Sequence, residues 1–127
     1  GFGYLWVKPV VTVYVSSSRY THKFMENNDY FIVEAFPENM QDALMYIGTH
    51  SGRDGDKLTP AGLTASFTPL GNPILNEGRL IIECKKIYSA PFEENKIPAE
   101  AYNKFYKNGK NGIHTMYIGE IVNVWVK

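Results

Sequence analysis

The segment HTMYIGEIVNVWV, residues 114–126, sets Met116, Ile118, Val122, Val124 and Val126 at alternate positions. A period of two belongs to an extended chain whose successive side chains point to opposite faces, so a long strand is expected here. VVTVYV, residues 10–15, is a second strong strand signal: a β-branched run bounded by Pro9 and by three serines. YFIVEAF, residues 30–36, reads as a buried strand, and 79–90 as a long one with Leu80, Ile82, Cys84 and Tyr88 on one side. Residues 63–68 and 73–75 are weaker strand candidates around the turn chemistry of Pro69, Gly71, Asn72 and Pro73. The expected helices are short. One covers 19–28 with Ser18 as N-cap, and one covers 38–47, where Met40, Ala43, Leu44 and Ile47 recur at helical spacing and Gly48 stops the run. A single turn over 56–61 precedes Gly62, a further helix covers 98–106, and NGKNG at 108–112 is a turn. Long strands without regular strand-helix alternation favour a mainly β fold, an antiparallel sheet or barrel with inserted helices, over a doubly wound parallel sheet.

Composition narrows the function classes. A chain of 127 residues is one domain by size, and thirteen basic residues cancel thirteen acidic ones. That balance argues against nucleic acid or an anionic membrane as a partner held by a broad positive field. One cysteine, Cys84, rules out an internal disulfide framework and a cysteine-rich zinc site, so a reducing, cytoplasmic setting is expected. No apolar run reaches the ~18 residues of a membrane span, and no secretory leader is visible. GFGYLW, at the start, has the aromatic density of a fold interior.

Two polar stretches follow apolar segments and invite a chemical reading. In SSSRYTH, residues 16–22, the serines close a strand and Arg19 opens a helix, where free N–H groups, the dipole, hydroxyls and a guanidinium suit a phosphate. In GTHSGRDGDK, residues 48–57, Gly48, Gly52 and Gly55 permit close-approach backbone, while Thr49, Ser51, Arg53 and Lys57 supply donors. For each loop alone a capped helix or an ordinary solvated loop is the favoured reading; the pair together shifts the balance somewhat toward an anion. Other constellations are weak. No G-x-G-x-x-G, phosphate loop or G-x-S-x-G occurs, and His22, His50 and His114 lack metal-ligand spacing. His114 opens the last strand after a glycine-flanked turn, and nine Tyr, seven Phe and two Trp would suit a flat heterocycle.

In order, KPVVTVYV, S-x-S-R-Y-T-H, G-T-H-S-G-R-D-x-D-K with A-G-L-T, L-I-I-E-C-K and H-T-M-Y-I-G-E-I-V resemble the flavin reductase-like family of FMN-binding split barrels, which includes the flavoredoxins. The resemblance implies a six-stranded antiparallel split barrel, a homodimer, and FMN near the subunit interface. It puts Ser16, Ser18, Arg19, Tyr20 and Thr21 along the ribityl phosphate, and Thr49, Ser51, Gly52, Arg53, Asp54 and Lys57 in a second flavin-contacting loop. Trp6 would run beside the isoalloxazine and His114 would approach its edge. Chemistry would then reside in the flavin, with no catalytic side chain. The implied activity is that of an FMN-dependent oxidoreductase taking electrons from NADH, NADPH or a redox partner protein. An electron carrier without its own nicotinamide activity and a non-flavin interaction module are the alternatives. By the same resemblance, residues 1–127 are one domain lacking the family's N-terminal hairpin.

Overall fold

The computed structural model describes residues 1–49, 56–109 and 111–127. Its strands are β1 (Phe2–Leu5), β2 (Lys8–Ser16), β3 (Tyr30–Ala35), β4 (Ala65–Phe67), β5 (Pro73–Leu75), β6 (Leu80–Pro91) and β7 (His114–Val126). The helices are α1 (Tyr20–Asn27), α2 (Gln41–Thr49), α3 (Leu58–Ala61) and α4 (Ala99–Phe105). Every strand pairing is antiparallel. The main sheet has the order β1-β2-β7-β6-β3, and β4 with β5 forms a separate hairpin. The fold is thus mainly β with short inserted helices, the class expected. The main sheet holds five strands among the described residues, where the resemblance implied six.

One face of this sheet carries the core. Val11, Phe31, Ile82, Cys84 and Tyr117 pack there with Met25 of α1. Gly119 makes room for this packing. A Cβ at that position would lie 2.6 Å from Phe31 Cε1 and 2.7 Å from Cys84 Cβ, so only glycine lets the ring cross the strand.

Two β-bulges decide which residues reach the core. Glu83 pairs with Asn123 but Cys84 pairs with Ile121, so Val122 is an extra residue in β7; Lys86 pairs with Gly119 and Tyr88 with Ile118, so Ile87 is extra in β6. An extra residue swaps the faces of everything beyond it. Thr115, Tyr117 and Gly119 are therefore the buried positions of β7, while Met116 and Ile118 lie on the opposite face. Val124 and Val126 are 52% and 78% exposed. The single alternating series expected from Met116 to Val126 is split by this bulge. Tyr88, expected beside Ile82 and Cys84, is likewise turned to the other face.

Other expectations need correction as well. Arg19, not Ser18, occupies the N-cap position of α1, and no side chain caps that helix. GFGYLW is not interior: β1 is an edge strand, and Phe2, Tyr4 and Trp6 are 60–72% exposed. Its turn to β2 uses Trp6 (φ 53°) and Val7 (φ 61°). A two-residue turn of type I′ has positive φ at both positions, which costs most for a β-branched residue such as Val7. The turn before Gly62 forms as expected: Asp56 Oδ1 accepts from the N–H groups of Leu58 and Thr59, and Gly62 ends α3 at φ 75°.

The β4–β5 hairpin region is tied to the sheet through Glu83. This carboxylate is fully buried and accepts from Thr68 Oγ1 (2.5 Å), Asn72 Nδ2 (2.7 Å) and Asn123 Nδ2 (2.9 Å). Burial pushes its pKa up, but the three hydrogen bonds outweigh that and hold it below the ordinary carboxylate value.

Candidate functional site

The cleft that matters lies where β2 ends and β7 begins. Strand pairing sets Ser16 opposite His114 and Tyr14 opposite Met116, on the face away from Tyr117. The chain then turns at 17–19 into α1. This turn is held by the incoming strand: Ser16 Oγ donates to Gly112 O (2.8 Å), and Ser17 N–H donates to Ile113 O (3.1 Å). With the Ser16 proton so used, Ser18 Oγ donates to Ser16 Oγ at 2.9 Å. Both serines therefore shape the loop through each other. Gly112 is required at this contact, since a Cβ there would lie 2.8 Å from Ser18 N and overlap the Ser17 hydroxyl.

Around this turn opens a cavity of about 950 Å³. Ser16, Arg19, Tyr20 and Thr21 come to it from the first loop, Lys57 from the second, and His114 from β7. Ile47 and Gly48 of α2 add a wall, and Tyr14, Phe24 and Phe105 add aromatic surface. Lys57 Nζ donates to Ile47 O at 3.3 Å, which holds its stem along the end of α2. Thr49, next to Gly48, turns its hydroxyl to Met45 O (2.9 Å) and Tyr46 O (3.2 Å) of its own helix. Ser51, Gly52, Arg53 and Asp54 lie outside the described residues. Trp6 sits at the exposed β1–β2 turn and is not among the residues lining this cavity.

His114 is oriented rather than loose. Its Nδ1 is hydrogen-bonded to Tyr106 Oη at 2.5 Å, and Tyr106 and Phe92 lie against its ring. Sequence reasoning did not find Tyr106, Phe105 or Gly112. Tyr106 and Phe105 sit at the end of α4, and only the return of β7 brings them back to the cleft.

The Cys84 thiol and the Tyr117 phenol of the core are both held protonated near neutral pH. Burial, with Glu83 adding to it, pushes the Cys84 thiol up to about 11. Burial, with Glu26 adding to it, pushes the Tyr117 phenol up to about 12. Among the described residues no group of three or more His, Cys, Asp or Glu could hold a metal ion. None of their helices is long and apolar enough to cross a membrane.

What the cleft can do follows from its lining. Arg19 and Lys57 bring two cations and Thr21 a hydroxyl, which together suit an anion. Tyr14, Tyr20, Phe24 and Phe105 suit a flat apolar group in the same space. The site is thus a mixed cationic and aromatic cleft at a strand-helix junction of a mainly antiparallel sheet.

The comparisons with known proteins give the family. The model described as flavin reductase like domain matches residues 6–127, and the chain belongs to that family. Solved structures share the fold. The FMN-binding protein from Thermus thermophilus with bound p-hydroxybenzaldehyde superposes with a TM-score of 0.72 at 23% identity, over 94% of this chain and 56% of that one. The flavoredoxin from Methanosarcina acetivorans gives 0.72 at 21%, over 94% and 54%. The nitrilotriacetate monooxygenase component B from Bacillus cereus gives 0.73 at 16%, over 98% and 58%. This chain thus spans little more than half the length of these structures. No curated protein matches it.

Proposed function

We propose that the cleft holds FMN and that the protein is a flavin-dependent oxidoreductase fed by a reduced nicotinamide or a protein donor. One observation carries the reading: Arg19 and Lys57, from separate loops, line one cavity together with Tyr14, Tyr20, Phe24 and Phe105. That is a donor set for a dianionic phosphate joined to a surface for a three-ring system. Family membership supports it further.

Within this reading Arg19 and Lys57 hold the phosphate with the Thr21 hydroxyl, and the cleft aromatics flank the ring. Ser16 and Ser18 fix the loop that carries Arg19 by their bonds to each other and to Gly112. His114, turned by Tyr106, presents its remaining ring nitrogen as a hydrogen-bonding group. When bound, FMN supplies hydride and single-electron exchange, so the chain's own residues need only bind, orient and exclude water. A homodimer belongs to the same proposal. The edge strand β1 carries exposed Phe2 and Tyr4, an apolar border that a second copy would cover.

The test is the visible spectrum of the protein after incubation with FMN and gel filtration, repeated after anaerobic NADH or NADPH. Retained flavin bands that bleach with a nucleotide agree with the reductase. Bands that bleach only with dithionite indicate a carrier, and loss of all flavin on the column overturns the site. Light scattering during the same run reads the dimer.

A further inference from the structure

A second cavity, of about 520 Å³, lies between α4 and the strand ends where Ala90 pairs with Met116. Its walls are almost wholly apolar: Pro91, Phe92, Ile97, Ala101, Phe105 and Met116. The volume falls within the ~300–1,000 Å³ range of small-molecule sites. Phe92 and Phe105 remain 38% and 49% exposed, so aromatic surface is left facing solvent at a concave place.

Two features define what fits. Among the described residues, the only charged ones on the lining are Glu93 and Lys96, and these neutralise each other through a 2.8 Å ion pair at the exposed rim. A charged ligand would lose its hydration here without gaining a free counter-charge, so the cavity favours an uncharged one. The walls combine the thioether of Met116 with two phenyl rings, Phe92 and Phe105, which favour a flat aromatic guest over a flexible chain.

The cavity also adjoins the first cleft. Phe105 lines both, and Tyr106, on the apolar side, bonds through its hydroxyl to His114, on the cleft side.

We propose that this cavity is a binding site for a small uncharged monocyclic aromatic molecule, distinct from the anionic cleft and joined to it through Phe105 and the Tyr106–His114 pair. The binding claim stands on the lining alone; its placement beside a flavin rests on the function proposed above.

The experiment is a titration of 15N-labelled protein with 4-methylphenol, and separately with benzoate, with and without FMN. Amide shifts are expected to concentrate at Ala101, Phe105, Tyr106 and Met116, with benzoate at least tenfold weaker. Shifts scattered elsewhere, or equal affinity for benzoate, overturn the proposal. Ala101→Trp is expected to weaken 4-methylphenol at least tenfold while the FMN affinity stays within twofold. If that variant binds 4-methylphenol like the parent, or changes the oligomeric state instead, the cavity is not a ligand site. Because FMN is titrated separately by its own fluorescence, failure of the flavin reading and failure of this one are told apart.

Discussion

Replacing Glu83 by alanine should destabilise the protein more than any surface change, for a reason visible in its partners. The substitution removes the acceptor for Thr68, which is buried, for Asn72, which is half-buried, and for Asn123, which is exposed. Asn123 can turn to water. The other two donors are stranded at about 1–3 kcal/mol each, and the sum is offset in part because a carboxylate no longer has to be buried. A net loss of about 2–4 kcal/mol follows, which lowers Tm by roughly 3–5 °C per kcal/mol for a chain of this size. Glu83→Gln keeps the shape and one acceptor oxygen, so it should cost less. It should also alter the acid limb of stability. The folded pKa of Glu83 lies below its unfolded value, so the carboxylate's contribution is fully present above the ordinary glutamate range and is lost as pH falls through the folded value. The gap between parent and Glu83→Gln should therefore be widest at neutral pH and close as the pH falls below the ordinary glutamate range. Urea unfolding at several pH values measures both effects. An alanine variant within 0.5 kcal/mol of the parent, or a glutamine gap that does not change with pH, would refute the reasoning.

Three further outcomes can be checked with single variants. Gly119→Ala forces a Cβ into Phe31 and Cys84 and should cost about 1–3 kcal/mol in urea unfolding, with part recovered when Phe31→Leu is added. Gly112→Ala should push the turn at Ser17 and Ser18 away from β7 and weaken FMN several-fold in a fluorescence titration, with thermal stability changed far less. Arg19→Ala and Lys57→Ala should each cost about 1.5–3 kcal/mol of FMN affinity, at least tenfold, while riboflavin affinity stays near the parent's. An Arg19→Ala protein that binds FMN normally would remove that residue from the phosphate site.

The strands and short helices were legible because their signals are local: β-branched runs for β2 and β7, Gly62 after α3, and helical spacing in α2. Which face is buried beyond a bulge was not legible, although Leu80, Ile82 and Cys84 do share the core side of β6. The bulges at Val122 and Ile87 arise from how β6 and β7 pair, and nothing in the alternation of either segment alone reveals an inserted residue. GFGYLW was misread for a similar reason, since aromatic content does not tell an edge strand from a central one. Of the candidate site, Ser16, Arg19, Tyr20, Thr21, Lys57 and His114 line one cavity. Trp6 stands apart from it, and Gly112, Phe105 and Tyr106 could be recognised only once β7 was seen to return beside α1.

The central claim is that the cleft takes an anionic flavin by its phosphate. The most direct measurement is a pair of fluorescence titrations of the protein, one with FMN and one with riboflavin, which differ only by that phosphate. If Arg19 and Lys57 act as described, FMN should bind at least about 100-fold more tightly, since two charge-assisted contacts at ~1.5 kcal/mol each correspond to roughly two decades of affinity. Equal affinities, or no binding of either, would contradict the account.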